Sequence, residues 1–143
     1  MILVDVNLLV DATMTSARDH EVARTWLRDR LAATARVGLP WASITGFVRV
    51  AGQARAWERP LPVAGALAIA RSWLARPCAW IPEPGPRHLE ILGALLEPQP
   101  SVRLVTDAHL AAIAIEHGLE LVSRDRDFIR WADLGLRSRD PLA

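Results

Sequence analysis

Short apolar segments alternate with longer segments of helical periodicity along the whole sequence. The segments typical of strands are Ile2–Asp5, Val37–Pro40, Ala79–Ile81, Leu119–Ser123 and, near the end, Leu136–Ser138. A helical turn is expected near Val6 or Asn7, and longer helices are expected over Arg18–Ala35, Ser43–Arg55, Val63–Leu74, Arg87–Leu96 and Thr106–His117. Short strands that alternate with helices indicate an α/β fold with a mostly parallel central sheet.

The late stretch "TDAHLAAIAIEHG" has the clearest helix signals. Thr106 is a plausible N-cap, Gly118 is a typical C-terminal stop, and four side chains share one face at helical spacing, namely Leu110, Ile113, Ala114 and His117. The strand "LELVS" follows, and "RDRDF" is expected to be the loop that leaves it.

The sequence of 143 residues has no internal repeat, low-complexity tract or linker, so we expect one domain over residues 1–143. No apolar run approaches the roughly 20 residues that span a bilayer. Asp5 interrupts the first apolar stretch, which argues against a secretory signal. Cys78 is the only cysteine, and therefore a reducing cytoplasm is the expected location, with no membrane association.

The charged residues give no simple answer about partners. All 17 basic residues are arginines, against 16 acids, so the net charge of +1 does not by itself predict binding to nucleic acid. Arginine does offer a planar fork that suits phosphate groups. Arg124 and Arg126 flank Asp125 and are candidates for RNA contact, as are Arg49 and Arg55, although solvated surface arginines explain each position equally well.

Acidic residues follow the predicted strands at positions that a parallel sheet brings to one edge. Asp5 ends the first strand, Asp125 and Asp127 follow the late strand, and Asp107 lies in the first turn of the late helix. Ligands of such sheets bind beyond the carboxyl ends of the strands. Taken singly, Asp107 is explained as a helix N-terminal acid and Asp125 or Asp127 as turn formers.

Asp5 is harder to explain in that way, because a carboxylate among apolar groups costs several kcal/mol unless it is paired. Carboxylates gathered at one edge repel each other unless a cation holds them, and Mg²⁺ or Mn²⁺ prefers such oxygen ligands. A cation held there lowers the pKa of bound water and stabilises charge on a phosphodiester. The sequence therefore predicts metal-dependent phosphodiester hydrolysis.

Other catalytic motifs are missing. The four histidines show no zinc-ligand spacing, and the sequence contains neither a glycine-rich phosphate loop nor a G-x-S-x-G nucleophile elbow.

The sequence resembles the PIN-domain toxins of VapC type, and the resemblance runs from Met1 to about Leu142. Three stretches carry it: "MILVDVNLLV", "TDAHLAAIAIEHGLELVSRDRDF" and "LGLRSRDPL". It implies a three-layer α/β/α sandwich and an endoribonuclease that depends on Mg²⁺ or Mn²⁺. It also implies that Asp5, Asp107 and Asp125 are the catalytic and metal-binding acids. Asp127 matches a further acid of the family, and Asn7 matches a polar residue beside the first acid.

The resemblance also implies partners. A VapB-type antitoxin from the same operon would neutralise the toxin and alone would contact DNA. The substrate would be tRNA or rRNA, and the toxin would be a homodimer. An apolar groove near the early helices, including Trp41, Phe47 and Val50, is a candidate site for the antitoxin.

The sequence departs from the family pattern at one position. The glutamate that the family usually carries after the second strand aligns with Gly46, which has no side chain to bind a metal. Ser43 and Thr45 are nearby hydroxyls that could hold a metal-bound water. The resemblance therefore implies weaker metal binding, or more water ligands.

Two alternatives belong to other functional classes. The first is a catalytically weak or silent scaffold that acts through an antitoxin–DNA complex. The second is a phosphatase or receiver-like domain, which also gathers aspartates at strand ends. The absence of lysine disfavours the second alternative, since no lysine can serve the phosphate.

Overall fold

The computed structural model describes every residue from Met1 to Ala143. The strands are β1 (Ile2–Val4), β2 (Val37–Gly38), β3 (Ala79–Trp80), β4 (Glu120–Val122) and β5 (Arg137–Arg139). The α-helices are α1 (Val6–Thr13), α2 (His20–Ala32), α3 (Trp41–Ala51), α4 (Val63–Leu74), α5 (His88–Leu96) and α6 (Val105–His117). Two 3₁₀ segments complete the chain, a turn at Val102–Leu104 and a longer helix at Arg126–Leu134.

All five strands are parallel and lie in the order β3-β2-β1-β4-β5. The central strand β1 pairs Leu3 with Gly38 of β2 on one side and with Leu121 of β4 on the other. The chain builds outward from β1 to β3 and then returns to the other side of β1. The direction of strand order therefore reverses between β1 and β4, which is where open α/β sheets bind their ligands.

Helices cover both faces of the sheet. Ile2 and Val4 pack into one core with residues of α1 to α4, whereas Leu3 points to the opposite core, which contains α5, α6 and the Arg126–Leu134 helix. Successive residues of a strand face opposite sides, so β1 contributes to both cores. The predicted three-layer α/β/α sandwich is confirmed.

Helix α1 follows β1 with a single intervening residue. The sequence predicted a strand through Asp5 and only a helical turn after it, but Asp5 has the extended backbone of an N-cap and α1 continues to Thr13. The apolar residues that resume after Asp5 pack on the core: Leu8, Leu9 and Val10 are buried. Burial of this face explains why the turn extends into a full helix.

The predicted N-cap of the late helix was wrong. Helix α6 begins at Val105, and Leu104 occupies the N-cap with helical backbone, because the chain enters from the 3₁₀ turn at Val102–Leu104. A capping side chain requires an extended backbone before the helix, and Thr106 already lies inside it. The predicted stop is confirmed, since Gly118 has a φ of 67° in the left-handed region.

The stretch "RDRDF" opens a 3₁₀ helix and is not the simple loop that we predicted. Phe128 and Trp131 are three residues apart and both are buried in this helix. Side chains three residues apart lie on one face of a 3₁₀ helix, so burial of these two rings favours that conformation. No helix of the protein is both long and apolar enough to cross a membrane.

Candidate functional site

The carboxylate of Asp5 is compensated by hydrogen bonds from its own chain. Its Oδ1 accepts from the N–H of Val6 at 2.7 Å, as expected for the N-cap of α1. Its Oδ2 accepts from the hydroxyl of Ser123 at 2.6 Å and from the amide of Asn7 at 3.2 Å. These donors reduce the cost of placing the charge at the end of a buried strand.

Ser123 links the end of β4 to the end of β1. Its buried hydroxyl donates to Asp5 and accepts from the backbone N–H of Asp125 at 2.9 Å. Asn7 reinforces this link, because its Oδ1 accepts from the N–H of Arg124 at 3.1 Å and its amide donates to Ser123 at 3.0 Å. Asn7 was predicted from the sequence, whereas Ser123 was not, because its only signal is a polar residue directly after a buried strand.

Three of the predicted acids line one cavity of about 690 Å³. Asp107 comes from the first turn of α6, and Asp125 and Asp127 come from the start of the Arg126–Leu134 helix. Asp125 is itself the N-cap of that helix, accepting from the N–H of Asp127 at 2.8 Å. Asp5 does not line the cavity, but its charge acts on that of Asp107.

The shifted pKa values of Asp5 and Asp107 show that these two acids and Asp125 share one electrostatic environment. Burial raises the pKa of Asp5 above its usual value, and the charge of Asp125 raises it further, against the hydrogen bonds from Ser123 and Val6. Burial also raises the pKa of Asp107, and so do the charges of Asp5 and Asp125. The charge of Asp125 thus disfavours ionisation of Asp5, and the charges of Asp5 and Asp125 disfavour ionisation of Asp107, which is the situation that a bound cation relieves.

The donor set fits a hard divalent cation in its chemistry, because it consists of carboxylate oxygens that repel one another. However, no group of three or more His, Cys, Asp or Glu side chains converges on one point closely enough to hold a metal ion. Cation binding therefore requires these side chains to draw together, or water to bridge between them. Asp107 is half-buried and Asp125 is exposed, and each is linked electrostatically to Asp5.

Gly46 lies against α1, directly beside the residue that follows Asp5. A Cβ built on Gly46 would lie 2.6 Å from Cγ2 of Val6, so the methyl group of Val6 occupies the space that a side chain would need. A glutamate at this position would therefore require Val6 to move, because Val6 fills the space that its side chain would need.

The two hydroxyls near Gly46 have other partners. Ser43 is fully buried and its Oγ donates to the carbonyl of Val4 at 2.6 Å, which anchors the end of β1 next to Asp5. Thr45 is exposed and donates to the carbonyl of Trp41 at 2.8 Å within α3. Thr45 lines a groove between α3 and α4 and is not among the residues that line the acidic cavity.

Arg124 binds carboxylates of its own chain. Its Nη1 lies 2.7 Å from Asp19 and 3.6 Å from Asp11, and its Nε lies 3.2 Å from Asp140. The other predicted RNA contacts, Arg126, Arg49 and Arg55, are exposed and do not line the acidic cavity.

The groove suggested for the antitoxin needs correction. Phe47 is fully buried, and its ring packs 4.8 Å from that of Trp73 between ring centroids, so it cannot contact a partner. Trp41 is half exposed. A separate cavity of about 660 Å³ lies between α1, α2 and α4 and is lined in part by Leu27, Leu31, Ile69 and Trp73.

The sequence matches the PIN-domain family over residues 2–134. Among similar proteins, Ribonuclease VapC33 of Mycobacterium tuberculosis is 42% identical over 143 residues, with 99% of each chain covered. Ribonuclease VapC37 of the same organism is 39% identical over 137 residues, which cover 92% of this chain and 95% of the relative.

Solved structures of similar fold come from complexes. VapBC2 of Rickettsia felis bound to a DNA fragment from its promoter superposes with a TM-score of 0.66 at 16% identity, covering 98% of each chain. VapBC-1 of nontypeable Haemophilus influenzae gives a TM-score of 0.67 at 14% identity, again over 98% of each chain. At this identity the similarity concerns the fold alone.

Proposed function

The chain belongs to the PIN-domain family and, within it, to the VapC ribonucleases, and on that premise we propose that it is the toxin of a type II toxin–antitoxin pair. Its activity is endonucleolytic hydrolysis of RNA phosphodiester bonds. We also propose that the whole chain forms a single PIN domain.

The observation that carries this proposal is the juxtaposition of acids at the reversal of strand order. Asp5 follows β1 and Asp125 follows β4, the two strands between which the order reverses, and Asp107 lies near both. A phosphodiester bound at this edge would meet the carboxylates at the point where α/β sheets hold their ligands.

Asp5, Asp107 and Asp125 are the proposed catalytic and metal-binding residues, and the proposed cation is Mg²⁺ or Mn²⁺. When bound, such a cation supplies an activated water and stabilises negative charge on the phosphodiester. Asn7 and Ser123 act on Asp5, since their hydrogen bonds hold its carboxylate at the end of β1. Asp127 faces the same cavity and is a candidate accessory acid.

The proposed partners follow from the family. Relatives of similar fold were solved as VapBC complexes, one of them bound to promoter DNA, and a VapB-type antitoxin is the proposed partner of this chain. DNA contact is proposed only through the antitoxin. The proposed substrate is tRNA or rRNA, the proposed assembly is a homodimer, and the proposed location is the cytoplasm.

Asp5→Asn and Asp107→Asn test the assignment of the acids. We expect each variant to lose Mg²⁺-dependent cleavage of RNA while its circular dichroism spectrum stays that of the unmodified protein. Asp133→Asn is the matched control, since Asp133 is an exposed aspartate outside the cavity. Full cleavage by either cavity variant would contradict the assigned roles.

A catalytically weak or silent scaffold is the second candidate, and Gly46 is the observation that favours it, because the packing of Val6 excludes a fourth acid. This candidate predicts unchanged cell growth on expression without the antitoxin, and no heat of Mg²⁺ binding in calorimetry. Growth arrest that depends on Asp5 would exclude it.

A further inference from the structure

The cavity that contains the acids also contains two arginines from different elements. Arg103 comes from the 3₁₀ turn before α6, and Arg130 comes from the helix that follows β4. With three carboxylates and two guanidinium groups among its lining residues, the cavity has a formal charge of −1. One divalent cation makes that charge positive, and a positively charged cavity attracts phosphate groups.

Arg130 is held in a defined orientation. Its Nε donates to the carbonyl of Asp127 at 2.9 Å, its Nη2 lies 3.5 Å from the carboxylate of the same residue, and its guanidinium carbon lies 5.8 Å from the ring centroid of Trp131. The Nη1 group makes no hydrogen bond within the chain, so a fixed donor remains available for a ligand.

Arg103 has no partner in the chain. It is exposed, and its guanidinium makes neither a hydrogen bond nor an ion pair, although Asp107 lines the same cavity. An unpaired arginine beside carboxylates that it does not contact is available to bind an anion from outside. Arg124 differs in this respect, because three carboxylates of its own chain surround its guanidinium.

We infer that Arg103 and Arg130 bind neighbouring phosphate groups of one RNA strand and so present a phosphodiester to the acids of the cavity. Two guanidinium groups suit this task, because each offers several N–H donors to phosphate oxygens. This inference rests on the proposed nuclease function, and it moves the predicted RNA contact from Arg124 and Arg126 to Arg103 and Arg130.

Binding without cleavage tests the pair directly. We would use the Asp5→Asn variant as the background and measure its affinity for a short fluorescein-labelled single-stranded RNA of mixed sequence by fluorescence anisotropy over a range of salt concentrations. Adding Arg103→Gln or Arg130→Gln should each weaken binding about tenfold, the loss of one charge-assisted hydrogen bond. Each should also make the salt dependence shallower by about 0.7 in slope.

Two further variants sharpen the test. Arg71→Gln removes an exposed arginine on α4, outside the cavity, and should leave both affinity and slope unchanged. Arg130→Lys keeps the charge but loses the planar fork, so it should retain the salt slope and bind with intermediate affinity. Circular dichroism checks that each protein is folded.

The inference is contradicted if Arg103→Gln and Arg130→Gln bind the RNA as tightly as Arg71→Gln does. Cleavage by the unmodified protein, measured in parallel, separates this inference from the proposed function. Arginine-dependent binding without any cleavage would contradict the nuclease and support the phosphate site. Cleavage together with binding that does not depend on these arginines would support the nuclease and contradict the phosphate site.

Discussion

The carboxylate of Asp5 has a structural role as well as its proposed catalytic one, since it is the N-cap of α1. The two roles respond differently to substitution. Asparagine caps a helix about as well as aspartate, whereas alanine does not.

We therefore expect Asp5→Asn to lose cleavage but keep the hydrogen bond that caps α1, although its amide nitrogen cannot accept the hydrogen bonds from Ser123 and Asn7. Asp5→Ala should lose cleavage and be about 1 kcal/mol less stable than Asp5→Asn. Urea unfolding followed by circular dichroism measures the difference. Equal stability of the two variants would show that the cap contributes nothing.

Gly46 allows α1 and α3 to approach each other beneath the site. Gly46→Ala should destabilise the protein by about 1–3 kcal/mol, the usual cost of overpacking, because the new methyl group meets the stiff side chain of Val6. Val6→Ala in the same protein should restore most of that loss.

Gly93 provides the control for this prediction. A Cβ there would meet only the side chain of Glu97, at 3.5 Å, so Gly93→Ala in α5 should raise stability through its higher helix propensity. Thermal unfolding of the three variants compares them, and destabilisation by Gly93→Ala would contradict the explanation.

Between elements, Glu116 of α6 holds the loop that leads into α5. Its carboxylate accepts from the N–H of Gly85 at 2.8 Å and from the N–H of Arg87 at 3.0 Å. These backbone hydrogen bonds, with that of Gly85 the stronger cause, hold the pKa of Glu116 below its usual value. A Cβ at Gly85 would lie 2.5 Å from Oε1 of Glu116, so a larger residue there would displace the carboxylate from its two N–H donors.

A lowered folded-state pKa stabilises the protein above the unfolded-state pKa of the glutamate, and this contribution is lost as the pH falls through the folded-state pKa. Glu116→Gln should therefore lower the melting temperature at neutral pH. The gap between variant and unmodified protein should close as the pH falls below the ordinary value of 4.5. Glu58→Gln, at an exposed position without such bonds, should show no gap at any pH.

Arg124 joins the exit of β4 to the carboxylates of three other segments, namely Asp11 of α1, Asp19 before α2 and Asp140 after β5. Arg124→Gln should cost about 1–3 kcal/mol, less than a fully buried network because the guanidinium is partly exposed. Arg124→Lys should lose less, and chemical denaturation separates the two. Unchanged stability in Arg124→Gln would contradict the importance of this link.

The order of strands and helices was predictable because each element carries its own local pattern. Val63–Leu74 was predicted at its observed bounds, since prolines precede it and apolar residues recur at helical spacing. The Arg126–Leu134 helix was not, because "RDRDF" is charged and only the burial of Phe128 and Trp131 against the rest of the fold favours it.

At the scale of the whole molecule, the placement of the acids near one edge of the sheet was predictable because strand ends can be read from the sequence. What could not be read is which side chains complete their surroundings. Ser123 contacts Asp5 across 118 positions of sequence. Arg130 reaches the acidic cavity only through the fold of the helix after β4. Contacts of this kind depend on tertiary packing and leave no local pattern.

A cation that binds only the folded protein should stabilise the whole chain. Saturating Mg²⁺ or Mn²⁺ should raise the melting temperature, and a concentration of a hundred times Kd corresponds to about 2.7 kcal/mol. Chelation by EDTA should reverse the shift, and Asp107→Asn should abolish it. An equal shift in Asp107→Asn and the unmodified protein would point to a cation bound elsewhere.

The sheet order has a consequence for synthesis on the ribosome. A nascent chain that has just completed β3 contains Asp5 but neither Asp107 nor Asp125, and the side of β1 that receives β4 is still unpaired. The proposed site therefore cannot exist until most of the polypeptide has been translated. A chain that is still being synthesised therefore lacks the acids that the proposed cleavage of RNA requires.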